Sequence, residues 1–170
     1  DGNTFLIKEN KVWKMDNKYE ISLNNVNIDS VFNLPYSINI KTGTLQNKNL
    51  IILTHENNVI EYDLIEREIV SNTSVNDYFQ NVEENIECML FYKNRYYLFE
   101  NNNVIIYNKN TENIEGTQKS EKLFKNIPNN ISCAFLNNNI VLENVNHGIP
   151  CFLKNKDLYF YDEKRQITNN

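Results

Sequence analysis

Tyr97-Leu98-Phe99-Glu100-Asn101-Asn102-Asn103-Val104-Ile105-Ile106-Tyr107-Asn108 sets two short apolar runs on either side of a polar turn, the pattern of a β-hairpin. The same twelve-residue pattern recurs without a gap at Phe5 to Asp16 (FLIKENKVWKMD), Ile52 to Asp63 (ILTHENNVIEYD) and Cys151 to Asp162 (CFLKNKDLYFYD). The ends of successive copies stand 47, 45 and 54 residues apart, a period proper to propellers and other stacked arrays. Within each copy the apolar residues are consecutive and do not alternate, which predicts strands buried on both faces, as in sheets stacked between neighbours. Trp13 shares its column with Ile60, Ile105 and Tyr159, so it is expected in the core.

Four copies in 170 residues divide one domain, residues 1–170, into repeats of about 1–36, 37–84, 85–129 and 130–170. A net charge of −5 with acids and bases interspersed leaves no basic stripe, so nucleic acid is not expected as a partner. No apolar run approaches the roughly 20 residues that span a bilayer, and Asp1 opens directly on polar sequence without a signal-peptide-like core. Asparagine supplies 34 residues, clustered between apolar runs, while there are only four glycines and three prolines. Asn is the natural substitute for Gly in turns because it tolerates positive φ and hydrogen-bonds its own backbone. Such a bias fits the product of an AT-rich protozoan genome.

Taken in order, each hairpin is followed by a polar run and a short helix signal. Asn27, Ser74 and Ser120 are the expected N-caps, standing before Phe32, Phe79 and Phe124. Each Phe follows another apolar residue (Val31, Tyr78, Leu123), a pair that one or two helical turns would lay on the sheet beneath. Pro35 and Pro128 stop the first and third helices, and Glu83 holds that place in the second. The strand opening the next repeat is then read at Ser37 to Ile40, Asn85 to Leu90 and Asn130 to Phe135. The fourth copy is nine residues longer than the 45-residue step. The excess is assigned to Asn137 to Ile149, the most distinctive surface loop of the chain.

The hairpin YLFENNNVIIYN, a linker, a short helix ending in Leu123-Phe124-Lys125-Asn126-Ile127-Pro128-Asn129-Asn130-Ile131, and the next strand together resemble the hemopexin repeat. The resemblance is strongest over Ile86 to Phe135 and spans all four units. It implies an all-β, four-bladed hemopexin-like β-propeller with short helices between blades. The family opens its first blade with an inner strand that has no counterpart before Asp1, so the first repeat begins at its second strand. An upstream segment, the tail Gln166 to Asn170 or another chain is expected to cover that edge. The family's disulfide between cysteines near the domain ends is absent: the cysteines are Cys88, Cys133 and Cys151. The acidic residue common at the start of inner strands is Glu87 in one unit, but Asn39 and Ser132 in the others. The resemblance admits a channel ion such as calcium, held by backbone carbonyls.

Little in the chain suggests chemistry. Cys88 and Cys133 fall in equivalent columns where small buried residues belong; a disulfide between them would need their Cα atoms within roughly 7 Å, and the odd third cysteine argues against a complete disulfide framework. His147 and Cys151 are separated by Gly148 and Pro150 and are too few for a zinc site. His55 shares a polar column with Lys8, Glu100 and Lys154 at the hairpin turn, where it is expected to be exposed. Nucleophile-elbow, zincin, P-loop and dinucleotide fingerprints are missing. The sequons at Asn72 and Asn130 are matches that so Asn-rich a chain produces by chance.

No catalytic or metal-binding residues are therefore assigned, and no cofactor beyond that channel ion is expected. The function implied by the resemblance is a non-catalytic docking module that binds a protein partner, in the secretory pathway or at the cell surface. Its candidate binding loop holds Asn137, Asn138, Asn139, Asn144, Asn146 and His147. The alternatives are a carrier of heme or a polyamine, and an accessory domain of a larger enzyme.

Overall fold

A computed structural model describes residues 4–8, 11–15, 21–32, 34, 38–83, 85–137, 148–155, 157–162 and 167–169. They form four antiparallel sheets joined by three short helices. The first sheet is β1 (Thr4–Lys8), β2 (Lys11–Met15) and β3 (Ile21–Asn27), followed by α1 (Ile28–Phe32). The second is β4 (Ile40–Gln46), β5 (Asn49–Thr54), β6 (Asn58–Asp63) and β7 (Glu68–Ser74), followed by α2 (Val75–Tyr78). The third is β8 (Cys88–Tyr92), β9 (Arg95–Glu100), β10 (Asn103–Asn108) and β11 (Asn113–Lys119), followed by α3 (Ser120–Leu123). The fourth is β12 (Cys133–Asn137), β13 (Ile149–Lys154), β14 (Asp157–Asp162) and β15 (Ile167–Asn169). The chain divides into two compact units, Asp1–Tyr78 and Phe79–Asn170, each holding two sheets.

The four copies of the twelve-residue pattern are the hairpins β1–β2, β5–β6, β9–β10 and β13–β14. Asn does the work of Gly at their bends: Asn57, Asn101 and Asn155 all have φ between 52° and 59°. Burial on both faces holds where the apolar runs are unbroken, since Leu50 to Thr54 and Cys88 to Tyr92 are buried at every position. Trp13 lies in β2 opposite Leu6; the packing expected of it falls on a side chain outside the described set.

In the first unit, Val12, Ile28, Phe32, Ile40, Ile52, Ile60 and Tyr62 share one core between two sheets. In the second, Cys88, Leu90, Phe99, Phe124, Ala134 and Phe152 do the same. One aromatic contact recurs with the repeat. Phe32, Phe79 and Phe124, each at the end of a helix, meet Tyr62, Tyr107 and Tyr161 edge to face, at 6.5, 5.3 and 5.1 Å between centroids. These tyrosines fall in one column of the repeat; in the first unit Phe32 fastens α1 to the second sheet, and in the second unit Phe124 fastens α3 to the fourth. The Tyr62 hydroxyl also donates to the Phe32 carbonyl.

Four expectations need correction. The polar runs after the hairpins are strands β3, β7 and β11. They lie at sheet edges, where β7 and β11 are mostly exposed and no apolar pattern is required of them. The inner strands open at Ile40, Cys88 and Cys133, two residues after Ile38, Ile86 and Ile131, which are buried but precede the ladder. Ser74 caps α2, its hydroxyl accepting from the Asp77 N–H at 3.1 Å, whereas Ser120 does not cap α3. It occupies the column of Val75, the first helical residue, and Lys119 stands at the cap without a side-chain bond. The Ser120 and Val75 N–H groups instead donate to the Asn102 and Asn57 carbonyls. Finally, the tail strand Ile167–Asn169 pairs with β14 and completes the fourth sheet, not the first.

Candidate docking surfaces

The register of the fourth sheet locates the extra residues of the fourth repeat. Asn137 opposes Ile149 across β12 and β13, so the connection between them is residues 138–148. The equivalent connections in the second and third sheets, between Gln46 and Asn49 and between Tyr92 and Arg95, are two residues each. Eleven residues replace two, which accounts for the whole nine-residue excess and confines it to one hairpin. Of the candidate loop residues, Asn137 is not on the surface. It is the last residue of β12 and fully buried, beside the Cys151 thiol, with which it hydrogen-bonds. Asn138, Asn139, Asn144, Asn146 and His147 lie outside the described residues.

A second surface feature was missed in the sequence. The turn Leu64 to Arg67 joins β6 to β7 and exposes Ile65 at 69% and Leu64 at 36%, with Leu45 exposed at 47% on β4. Asp63 builds this turn. Its Oδ1 accepts the Ile65 and Glu66 N–H groups at 2.8 and 3.1 Å, and its Oδ2 pairs with Lys48 Nζ at 2.6 Å. The Leu64 N–H donates to the Lys48 carbonyl at 3.1 Å, tying the turn to the β4–β5 turn beside Leu45. The hydrogen bond from Lys48 holds the Asp63 carboxyl below its usual pKa. The third repeat builds the same turn with polar residues: Asn108 Oδ1 accepts the Asn110 and Thr111 N–H groups at 2.9 and 3.4 Å. Arg67 and Glu112 close the two turns at φ 60° and 53°. Comparing these columns in the sequence, Leu64-Ile65 against Lys109-Asn110, was the signal available.

The remaining groups are placed without suggesting chemistry. His55 is exposed at the β5–β6 turn, and Asn39, Glu87 and Ser132 are exposed ahead of their strands. Glu87 Oε2 accepts the Asn101 N–H at 3.2 Å. Cys88 and Cys151 are buried and Cys133 is half-buried. Burial pushes the Cys133 thiol up to about 11 and that of Cys151 up to about 12, so neither is poised as a nucleophile. Among the described residues no group of three or more His, Cys, Asp or Glu converges, and no helix is long and apolar enough to cross a membrane.

These features define an all-β repeat protein of four antiparallel sheets, whose variation is concentrated in connecting turns. Its fold is hemopexin-like: a hemopexin-fold protein, CP4 from cow pea, matches with a TM-score of 0.79 at 14% identity, over 100% of this chain and 87% of that one. A plant albumin from Cicer arietinum showing hemagglutination matches at 0.73 and 14% identity, over 94% and 81% of the two chains. A plant lectin with two metal-binding sites, also from Cicer arietinum, matches at 0.69 and 14% identity, over 96% and 83%. No family model and no curated protein matches the chain.

Proposed function

We propose that the chain is a non-catalytic protein-docking module on a four-bladed hemopexin-like propeller, and that it binds its partner through residues 138–148. The observation that carries this reading is the register across β12 and β13, which admits nine additional residues at one connection and leaves the ladder intact on both sides. A strand pairing that needs two connecting residues gains nothing in stability from eleven, since a longer loop costs closure entropy. What such a loop adds is surface. The fold neighbours support a binding role, since they include a plant albumin showing hemagglutination and a plant lectin.

The test is to replace residues 138–148 with Asn-Gly, the two-residue turn suited to a tight hairpin. The shortened protein is expected to melt as the parent does or slightly higher, while the proteins captured stoichiometrically by the parent from its own cells are lost. Equal capture by both versions would sink the loop as the docking element. The turn at Leu64 and Ile65 favours a second contact surface for the same function, because its exposed apolar side chains stand where another repeat carries polar ones.

A further inference from the structure

In the second and third repeats the two-residue connections between the first two strands fix how those strands pair, since so short a turn admits one register. The fourth repeat lacks that device. Eleven residues connect β12 to β13, and adding or removing one costs almost nothing in closure entropy. Hydrophobic alternation does not choose the register either. It does so where one face of a strand is apolar and the other polar, because a one-residue slip exchanges the faces. The first four residues of β12 put Cys133 and Phe135 on one face and Ala134 and Leu136 on the other, so both faces are apolar. Yet the ladder runs from Cys133↔Leu153 to Asn137↔Ile149 without a shift.

The residue that tells the faces apart is Asn137. Among the described residues it is the one buried asparagine, with 0% exposure. The corresponding place, opposite Leu50 in the second repeat and Arg95 in the third, is held by Leu45 and Tyr92, so the fold does not require an amide there. Because Phe135 opposes Cys151, Asn137 lies diagonally from Cys151 on the same face. The Cys151 thiol is equally buried and donates to the Ile149 carbonyl at 3.4 Å, while Asn137 hydrogen-bonds it from both backbone and side chain. A one-residue slip turns Asn137 to the other face, where Ala134 and Phe152 pack with Phe99 and Phe124, and strips the amide of its partner. Two-residue slips are excluded by size, since they bring Leu136 or Ser132 to the place of Ala134 against Phe152.

We infer that Asn137 is the register pin of the fourth sheet: its buried amide, seated on the Cys151 thiol, selects one pairing of β12 with β13 and so sets which residues enter the connection between them. A buried polar residue that specifies register at some cost in stability has its best-attested counterpart in coiled coils. The bearing of the pin on binding rests on the docking role proposed above; the pin itself does not.

The experiment compares the protein with its Asn137→Leu and Asn137→Thr variants by amide NMR and thermal melts. The parent is expected to give one set of β12 and β13 resonances, with cross-strand contacts between Phe135 and Cys151. Asn137→Leu installs the kind of residue the second repeat carries there. It is expected to melt no lower than the parent and to show a second set, at about a tenth of the intensity or more, with those contacts displaced by one residue. Asn137→Thr keeps a donor for the thiol and should give a single set. The inference is overturned if the Leu variant keeps one register or fails to fold, either of which makes Asn137 an ordinary core residue. Two registers in the parent or in the Thr variant would overturn it equally. A second register in the Leu variant with undiminished capture of the parent's partners would leave the pin standing and count against the docking role alone.

Discussion

At the scale of single residues, Asp63 shows how one side chain fixes a surface turn and ties it to pH. Its two oxygens divide the labour: Oδ1 takes two backbone N–H groups, and Oδ2 holds Lys48. The carboxyl therefore has a lower pKa folded than unfolded, and Lys48 a higher one, each because of the other. For an acid with a depressed folded pKa, the stabilisation is present above the unfolded value and is lost as pH falls through the folded one. The melting temperature is thus expected to hold between pH 5 and 7 and to fall below about pH 4, where an ordinary aspartate protonates. Asn108 performs the same acceptor role in the third repeat without a titratable group. Asp63→Asn should accordingly keep the turn, lose the Lys48 ion pair, and show a shallower acid limb in thermal melts from pH 7 to 3. An acid limb as steep as the parent's would mean that other carboxylates govern the transition.

At the scale of elements, the helices are too short to hold themselves, four or five residues each, and their stability comes from packing. The residue that ends each one, Phe32, Phe79 or Phe124, is buried against a tyrosine, and within each unit this contact, Phe32 on Tyr62 and Phe124 on Tyr161, fastens one repeat to the next. Phe124 also meets Phe99 and Phe152, from the two sheets of the second unit, at 6.1 and 4.8 Å. Phe124→Ala is expected to destabilise that unit by about 3–5 kcal/mol, the cost of removing a fully packed aromatic ring, read by urea denaturation. A loss under about 1 kcal/mol would show that the ring is not a fastening at all. The hairpins and these phenylalanines were legible in the sequence because burial leaves apolar residues at a fixed spacing. The outer strands β7 and β11 were not, because a strand exposed on both faces needs no such residues, and EIVSNTS reads as a linker. The burial of Asn137 was hidden for a related reason. It is polar, it stands beside two more asparagines, and only the register with Ile149 shows that the strand includes it.

At the scale of the whole molecule, repetition supplies an internal control that a single-copy protein lacks. Four versions of one structural unit share the demands of the fold, so a residue type that every copy needs is structural, and one found in a single copy answers to something else. In the four copies of the pattern, the residues after the final Asp or Asn are Asn17-Lys18, Leu64-Ile65, Lys109-Asn110 and Glu163-Lys164. Only the second is apolar. Its backbone matches the third in acceptor geometry and in the positive φ at its close, so the fold does not require Leu or Ile there. Exposed apolar side chains that the fold does not require are the ones the proposed docking role would use. Exchanging Leu64-Ile65 for the Lys-Asn of the third repeat is expected to change stability by less than about 0.5 kcal/mol, as surface changes outside packed features do. On the proposed docking role, the same exchange should weaken capture of the partner. Melts and quantitative capture on one preparation decide it. A large loss of stability would make the pair structural, and unchanged capture with unchanged stability would remove this turn from the docking surface.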